Sequence, residues 1–178
     1  TEIPYDPIIG EYYVTASGRF AEMKRFYAHS DITVHEHCIS VAREAYTMAC
    51  RAGDKTCDLR SLVRGALLHD YYLYDWHDPN KGFRWHGFKH HRFALENARQ
   101  DFSLTEKEEG IIYSHMFPLT AWTWPRSREA WYVTLADKRV ATVETLRKYQ
   151  KKKEHTVLIV KDTQYMKFTL LKKEKLVS

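Results

Sequence analysis

Apolar stripes at helical spacing, each broken by one histidine or aspartate, are the feature that most constrains the fold of this chain. One stripe runs from Leu59 through Ala66 directly to the pair His69-Asp70. Four further stripes are interrupted in the same way, at His37, His90, His115 and Asp137. A charge or imidazole on a core-facing stripe costs several kcal/mol unless it is paired or binds a metal. Five such helices therefore predict an all-α fold built around a metal centre.

The same spacing predicts helices along most of the chain. The pattern Thr33-Val-His-Glu36 is a capping box, in which the threonine hydroxyl and the glutamate carboxylate satisfy amides at the start of a helix. Overlapping patterns from Ser103 and from Thr105 predict the start of a later helix. We expect helices over about residues 18–29, 33–50, 59–70, 86–102, 103–115 and 126–149. Residues 1–17 and 71–85 show no period, so we expect an irregular lead-in and a long aromatic loop.

Composition and cysteine spacing indicate a globular cytoplasmic protein. The 178 residues are 44% hydrophobic, which is enough for one domain with a real core. No apolar run approaches the ~20 residues needed to cross a bilayer, so we expect no membrane partner. The three cysteines form neither a CxxC pair nor an even set, which favours a reducing compartment.

The net charge of +5 comes from the last part of the chain. Residues 147–178 hold 10 of the 28 lysines and arginines but 3 of the 23 acidic residues, which leaves the rest slightly acidic. This distribution argues against a nucleic-acid partner, which needs cations gathered on a binding surface. We expect a lead-in over residues 1–32, a domain over 33–149, and a basic tail over 150–178 that contains a hairpin or loosely docked strand.

The order His, His-Asp, His, His, Asp resembles the HD-domain metal-dependent phosphohydrolase superfamily. The similar segments are HCISVA from His37, LLHD ending at Asp70, HGFKHHRFALENA from His86, IIYSHM with His115, and LADK with Asp137. The resemblance covers roughly residues 33–147. It implies a compact helical bundle that hydrolyses a phosphate ester.

The resemblance also implies a role for each matching residue. The first ligand is His37 rather than His35, and His90 is the extra histidine of two-metal members. His86 is an outer partner of the ligands, an additional ligand, or an ordinary residue at the start of its helix. In this interpretation His37, His69 and Asp137 hold one ion, His90 and His115 hold a second, and Asp70 is shared and catalytic. Imidazole and carboxylate without clustered thiolates suit Mn, Fe, Co, Ni or Zn. Two such ions would lower the pKa of water from ~15.7 toward ~7.

The chain departs from the family pattern directly after the HD doublet. Many relatives continue with Ile-Gly-Lys, whereas Tyr71-Tyr72-Leu73 follows here, so no cation comes just after Asp70. The cation that neutralises a substrate phosphate must come from elsewhere. The candidates are Arg92, Lys138 and Arg139.

Several alternatives stay open at this point. The expected substrate is a small phosphorylated metabolite or a nucleotide, and the loop aromatics from Tyr71 to Trp85 either stack a base or pack on the bundle. A single-metal nucleotide phosphatase would use only His37, His69, Asp70 and Asp137. A di-iron oxygenase could use the full ligand set, and a metal-stabilised binding module could use the basic tail. The oligomeric state is not constrained by the sequence.

Overall fold

The computed structural model describes residues 18–29, 32–74 and 86–149, and most of them are helical. The helices are α1 (Gly18–Glu22), α2 (Val34–Arg51), α3 (Leu59–Leu68), α4 (His86–Asp101), α5 (Glu106–Ser114) and α6 (128–149). A 3₁₀ turn covers Met23–Arg25, and two short strands, β1 (Tyr27–His29) and β2 (Ile32–Thr33), pair antiparallel. The all-α prediction is confirmed.

The helix expected over residues 18–29 is wrong in its second half. The expectation came from Phe20, Met23 and Tyr27, which recur at helical spacing. Of these, Phe20 and Met23 are buried in α1 and in the 3₁₀ turn. At Phe26 the backbone becomes extended, with φ −117° and ψ 140°. Tyr27 then lies opposite Thr33 in the strand pair. The apolar spacing therefore covered only two turns, and backbone pairing with β2 determines the residues that follow.

Side-chain caps fix the starts of three helices. Thr33 and Glu36 form the predicted capping box at α2, with Glu36 N donating to Thr33 Oγ1 at 3.2 Å. Thr105 and Glu108 form the second box at α5, so of the two overlapping patterns only the one from Thr105 is used. Asp58 caps α3 by accepting from the backbone of Ser61. These caps satisfy amides that have no partner inside the helix.

Helix α3 lies at the centre of the described residues and packs against α2, α4 and α5. Its buried face includes Leu62, Leu67 and Leu68. At Gly65, a Cβ atom would lie 2.8 Å from two side-chain carbons of Ile111 in α5. The missing side chain therefore allows α3 and α5 to approach closely.

Tyr71, the first aromatic residue of the predicted loop, packs on the bundle. Its ring stacks on Phe20 with centroids 6.3 Å apart, and its hydroxyl donates to Asp101 Oδ2 at 2.7 Å. The roles expected for the lead-in over residues 1–17, for loop residues 75–85, and for the tail strands all lie outside the described residues.

The chain divides into two compact units, Thr1–Thr142 and Val143–Ser178. The described residues of the second unit, 143–149, are helical. The residues discussed below belong to the first unit, apart from Lys148. Among the described helices, none combines the length and the apolar composition that crossing a membrane requires.

The contact at Gly65 predicts opposite effects of one substitution at two helical glycines. Gly65→Ala should lower the free energy of unfolding by about 1–3 kcal/mol, because the added methyl overlaps Ile111. Gly110→Ala is the matched control, since no atom lies within 4 Å of its Cβ position, and it should raise that free energy by about 0.5–1 kcal/mol. Urea unfolding of both variants with a chelator present measures the difference. Equal effects at the two positions would contradict the packing described.

Candidate metal centre

Six of the predicted ligand residues converge on one buried region, although they come from five parts of the chain. They are all less than 10% exposed and are His37, His69, Asp70, His90, His115 and Asp137. Two groups bring their potential ligand atoms within 4.8 Å of one another. One contains His37, His69 and Asp137, and the other contains His69, Asp70 and His115. The side chain of His86 lies outside the described part of the chain.

The first group joins α2, the end of α3, and α6. His37 Nε2 lies 3.2 Å from Asp137 Oδ1, and His69 Nε2 lies 3.9 Å from the same oxygen. His37 is one residue past the capping-box glutamate of α2, so the cap fixes where its helix begins. The structure thus places His37, and not His35, beside Asp137; the ring of His35 instead packs on Phe20.

In the second group, a further histidine, His90, lies beside the carboxylate of Asp70. The Oδ1 atom of Asp70 is 3.1 Å from His90 Nε2 and 3.3 Å from His115 Nε2, and these two nitrogens are 3.0 Å apart. Its Oδ2 atom is 3.7 Å from His69 Nε2, and His69 belongs to both groups. The Asp70 carboxylate therefore lies between His69 on one side and the pair His90 and His115 on the other, with one oxygen toward each.

His69 and His115 occupy equivalent positions at the ends of their helices. Each is the C-cap residue directly after the last helical residue, of α3 and α5 respectively. His69 Nδ1 donates to the carbonyl oxygen of Ala66 at 2.6 Å, and His115 Nδ1 donates to that of Ile112 at 2.7 Å. A carbonyl can only accept, so Nδ1 carries the proton and Nε2 keeps its lone pair. Such a backbone partner is the usual way to fix the tautomer of a metal-binding histidine.

Three of the buried groups, His69, Asp70 and Asp137, have the protonation states that a cation requires. Burial lowers the pKa of His69 to about 4, so its imidazole is neutral at pH 7. Burial alone would raise the pKa of Asp70, but the neighbouring His69 and His90 imidazoles outweigh it and hold that pKa well below the usual range. At Asp137, burial is outweighed by the hydrogen bond with His37, and the pKa is again low. Neutral imidazoles and ionised carboxylates are the ligand forms that bind metal.

Unsatisfied atoms in this region fit a divalent metal. His69 Nε2 and Asp70 Oδ1 are buried and make no hydrogen bond of normal geometry within the described structure, which costs ~1–3 kcal/mol for each atom. Ligands that lie ~2.0–2.2 Å from one ion are themselves about 3–3.5 Å apart. The separations among Asp70 Oδ1, His90 Nε2 and His115 Nε2 match that spacing. The residues present can therefore hold a metal ion.

Lys138, predicted as a phosphate-binding cation, contacts both groups of ligands. Its Nζ donates to Asp137 Oδ2 at 2.9 Å and to the carbonyl oxygen of His115 at 2.6 Å. The two oxygens of Asp137 therefore have different partners, since Oδ1 faces His37 and His69 whereas Oδ2 accepts from Lys138. Nothing in the residue spacing predicts this contact, apart from the position of Lys138 next to Asp137.

The other two candidate cations lie differently. Arg139 pairs with Glu44 Oε1 at 2.8 Å, which uses its charge in an ion pair between α6 and α2. Arg92 is exposed on α4, two residues after His90, and forms no ion pair within the described residues. Arg92 therefore stays a candidate for the phosphate.

His91, which directly follows His90 on α4, is completely buried. Its ring packs edge-on against Tyr113 with centroids 5.2 Å apart, and neither ring nitrogen has a hydrogen-bond partner in the described structure. Burial lowers its pKa to about 4, so the ring packs as a neutral aromatic group. It belongs to neither group of potential ligands.

Comparison with known families identifies a family for this chain. The family model described as HD domain matches residues 34–142, which is more than half of the 178 residues, and all six converging residues lie inside the match. Comparison with curated proteins and with solved structures gives no significant match. The boundaries expected for the domain, residues 33 and 149, stay a prediction.

The position of Lys138 predicts an effect on metal affinity. Lys138→Met should weaken binding of Mn²⁺ or Ni²⁺ by about 10- to 100-fold, because Asp137 loses the hydrogen bond that orients it. Isothermal titration of the metal-free protein measures this affinity directly. Lys148→Met is the matched control, since Lys148 is exposed on α6. Unchanged affinity in Lys138→Met would show that Lys138 does not orient the site.

Proposed function

The chain belongs to the HD-domain family, most of whose members are metal-dependent hydrolases, and we propose that it is a two-metal phosphohydrolase. The proposed substrate is the phosphate ester of a small metabolite or nucleotide. The proposed cofactors are two divalent ions from the set Mn, Fe, Co, Ni and Zn, which suit imidazole and carboxylate ligands.

The observation that carries this proposal is the orientation of the Asp70 carboxylate. Its Oδ2 faces His69 and its Oδ1 faces His90 and His115, so one aspartate has ligand atoms directed into two groups. A single-metal site would leave His90 and His115 without a role, although both are buried beside Asp70. In the proposed site, His37, His69 and Asp137 hold one ion, and His90 and His115 hold the other.

The bound ions would supply water activated near neutral pH and would stabilise charge on the reacting phosphate. The residues of the chain fix the geometry for this reaction. The carbonyls of Ala66 and Ile112 keep the Nε2 lone pairs of His69 and His115 directed inward. Two carboxylates and four imidazoles from five parts of the chain converge on one buried region, and such a fixed arrangement supports the preorganisation that phosphoryl transfer needs.

Cations near the site support a phosphate substrate. Lys138 is 39% exposed, and two of its three N–H groups are used by Asp137 and His115. Its third N–H is therefore available for a substrate oxygen, and Arg92 offers a second cation near His90. In this proposal Asp70 is catalytic, while Lys138 and Arg92 bind the phosphate.

Aromatic side chains beside His90 support a nucleotide as one possible substrate. Tyr72 packs edge-on against His90 with centroids 5.8 Å apart, and its ring also contacts Tyr74 at 5.2 Å. Tyr74 in turn contacts Phe93, which is 38% exposed. Aromatic faces next to a phosphate site can stack on a base.

The proposal predicts phosphate release that depends on both metal and Asp70. Purified protein with Mn²⁺, Co²⁺ or Ni²⁺ should release inorganic phosphate from at least one member of a panel of nucleotides and sugar phosphates. Asp70→Ala should lower this activity by about 1,000-fold or more, because it removes a carboxylate that both proposed ions share. Folding of the variant is checked by circular dichroism. Turnover that survives in Asp70→Ala, or in a chelator, would contradict the mechanism.

The number of bound ions separates the two-metal site from a single-metal site. Elemental analysis after metal loading should give about two ions per chain for the wild type and about one for His115→Gln, because that change removes a ligand of one group only. His35→Gln, which lies in neither group, should retain both ions. One ion per chain in the wild type would support the single-metal phosphatase instead.

A further inference from the structure

A cavity lies on a different face of α5 from the metal centre. It has a volume of about 580 Å³, within the ~300–1,000 Å³ range of small-molecule sites. Helix α5 buries Ile111 and Ile112 toward the core, whereas it lines this cavity with Lys107, Gly110 and Tyr113. The loop before α6 supplies the opposite wall with Trp122, Trp124 and Arg126.

Gly110 forms an open part of the cavity wall in the middle of a helix. A glycine there costs ~1 kcal/mol relative to alanine. No atom lies within 4 Å of its Cβ position, so packing against other residues does not require the glycine. At Gly65 the same residue type is explained by contact with Ile111. The missing side chain at Gly110 instead widens the cavity and leaves the helix backbone exposed in its wall.

Two tryptophans of the cavity are largely exposed. Trp122 is 62% exposed and Trp124 is 58% exposed. The Trp124 ring is held in place, because it packs edge-on against Phe117 at 4.9 Å and Trp131 at 5.2 Å between centroids. A rigid aromatic surface of this kind is suited to stacking with a planar ligand.

Of the charged side chains that line the cavity, one cation and one anion are not paired with an opposite charge among the described residues. Lys107 is already neutralised by Glu129 at 3.2 Å and Asp58 at 3.5 Å. Arg126 and Glu106 are exposed and form no ion pair within the residues that the structure describes. A guanidinium binds phosphate or carboxylate, and a carboxylate accepts from an amine or ring N–H.

We propose that this cavity binds a planar nitrogen heterocycle carrying an anionic group, which is the chemistry of a nucleotide. The ring stacks on Trp124 over the open backbone at Gly110, Arg126 binds the anionic group, and Glu106 accepts from ring or exocyclic nitrogens. The site uses none of the residues of the metal centre, so the proposal is independent of the proposed hydrolysis.

The test is a binding titration of the full chain in the presence of a chelator, with the mononucleotides AMP, GMP, CMP and UMP as probes. At least one should quench tryptophan fluorescence saturably with one site per chain. The corresponding nucleoside should bind more weakly, and inorganic phosphate should cause no quenching. Binding of none of the four, or equal binding of nucleoside and nucleotide, would overturn the proposal.

Variants then locate the site. Trp124→Ala and Arg126→Gln should each weaken binding by about tenfold or more, as loss of one stacking or charged contact predicts. Arg60→Gln is the matched control, since Arg60 is exposed on α3 outside the cavity. Gly110→Ala should also weaken binding, although it is expected to stabilise the fold, so reduced affinity there cannot result from misfolding.

Asp70→Ala distinguishes the cavity from the metal centre. Nucleotide binding that survives Asp70→Ala but falls in Gly110→Ala and Arg126→Gln supports the proposal. Binding that disappears in Asp70→Ala and is unchanged in the two cavity variants would place the nucleotide at the metal centre and overturn it.

Discussion

The close contact between Gly65 in α3 and Ile111 in α5 determines where His69 and His115 meet. His69 follows Gly65 by four residues, and His115 follows Ile111 by four residues. Four residues are about one helical turn, so both histidines lie one turn beyond the point of closest approach. Their rings are 4.9 Å apart between centroids. A larger residue at position 65 would separate the two helix ends and the ligands that they carry.

Both histidines also lie where their helices end, which connects the fold to the chemistry of the site. A residue at the C-cap lies beside the last carbonyl groups of the helix, and these have no partner inside it. His69 and His115 each satisfy one of these carbonyls through Nδ1. The hydrogen bond that completes the end of the helix is thus the one that directs Nε2 into the site. Lys138 adds to this arrangement, because it donates to the carbonyl of His115 itself.

The sequence was sufficient to predict most of the helices and the polar side chains that converge on one buried region, because both depend on local spacing. An apolar stripe faces the core regardless of which helix packs against it. Each stripe is interrupted by one of the converging residues His37, His69, His90, His115 and Asp137. The strand pair at Tyr27–His29 was missed because backbone pairing leaves little trace in three residues of sequence. The cap at Thr105 could not be separated from the one at Ser103, since both patterns satisfy the same rule. Lys138 was identified as a cation, but its two acceptors come from different helices and no spacing predicts them.

The two glycines of α3 and α5 show why residue type alone does not give a functional interpretation. In sequence, Gly65 and Gly110 are alike, since each lies inside a helix and each lowers helical propensity. In the structure, a Cβ atom at Gly65 would overlap Ile111, whereas one at Gly110 would meet no atom within 4 Å outside its own helix backbone and chain neighbours. Helix α5 therefore packs one face against the end of α3 that carries His69 and leaves another face open beside Trp124. The first face fixes the position of His115, and the second forms a wall of the cavity.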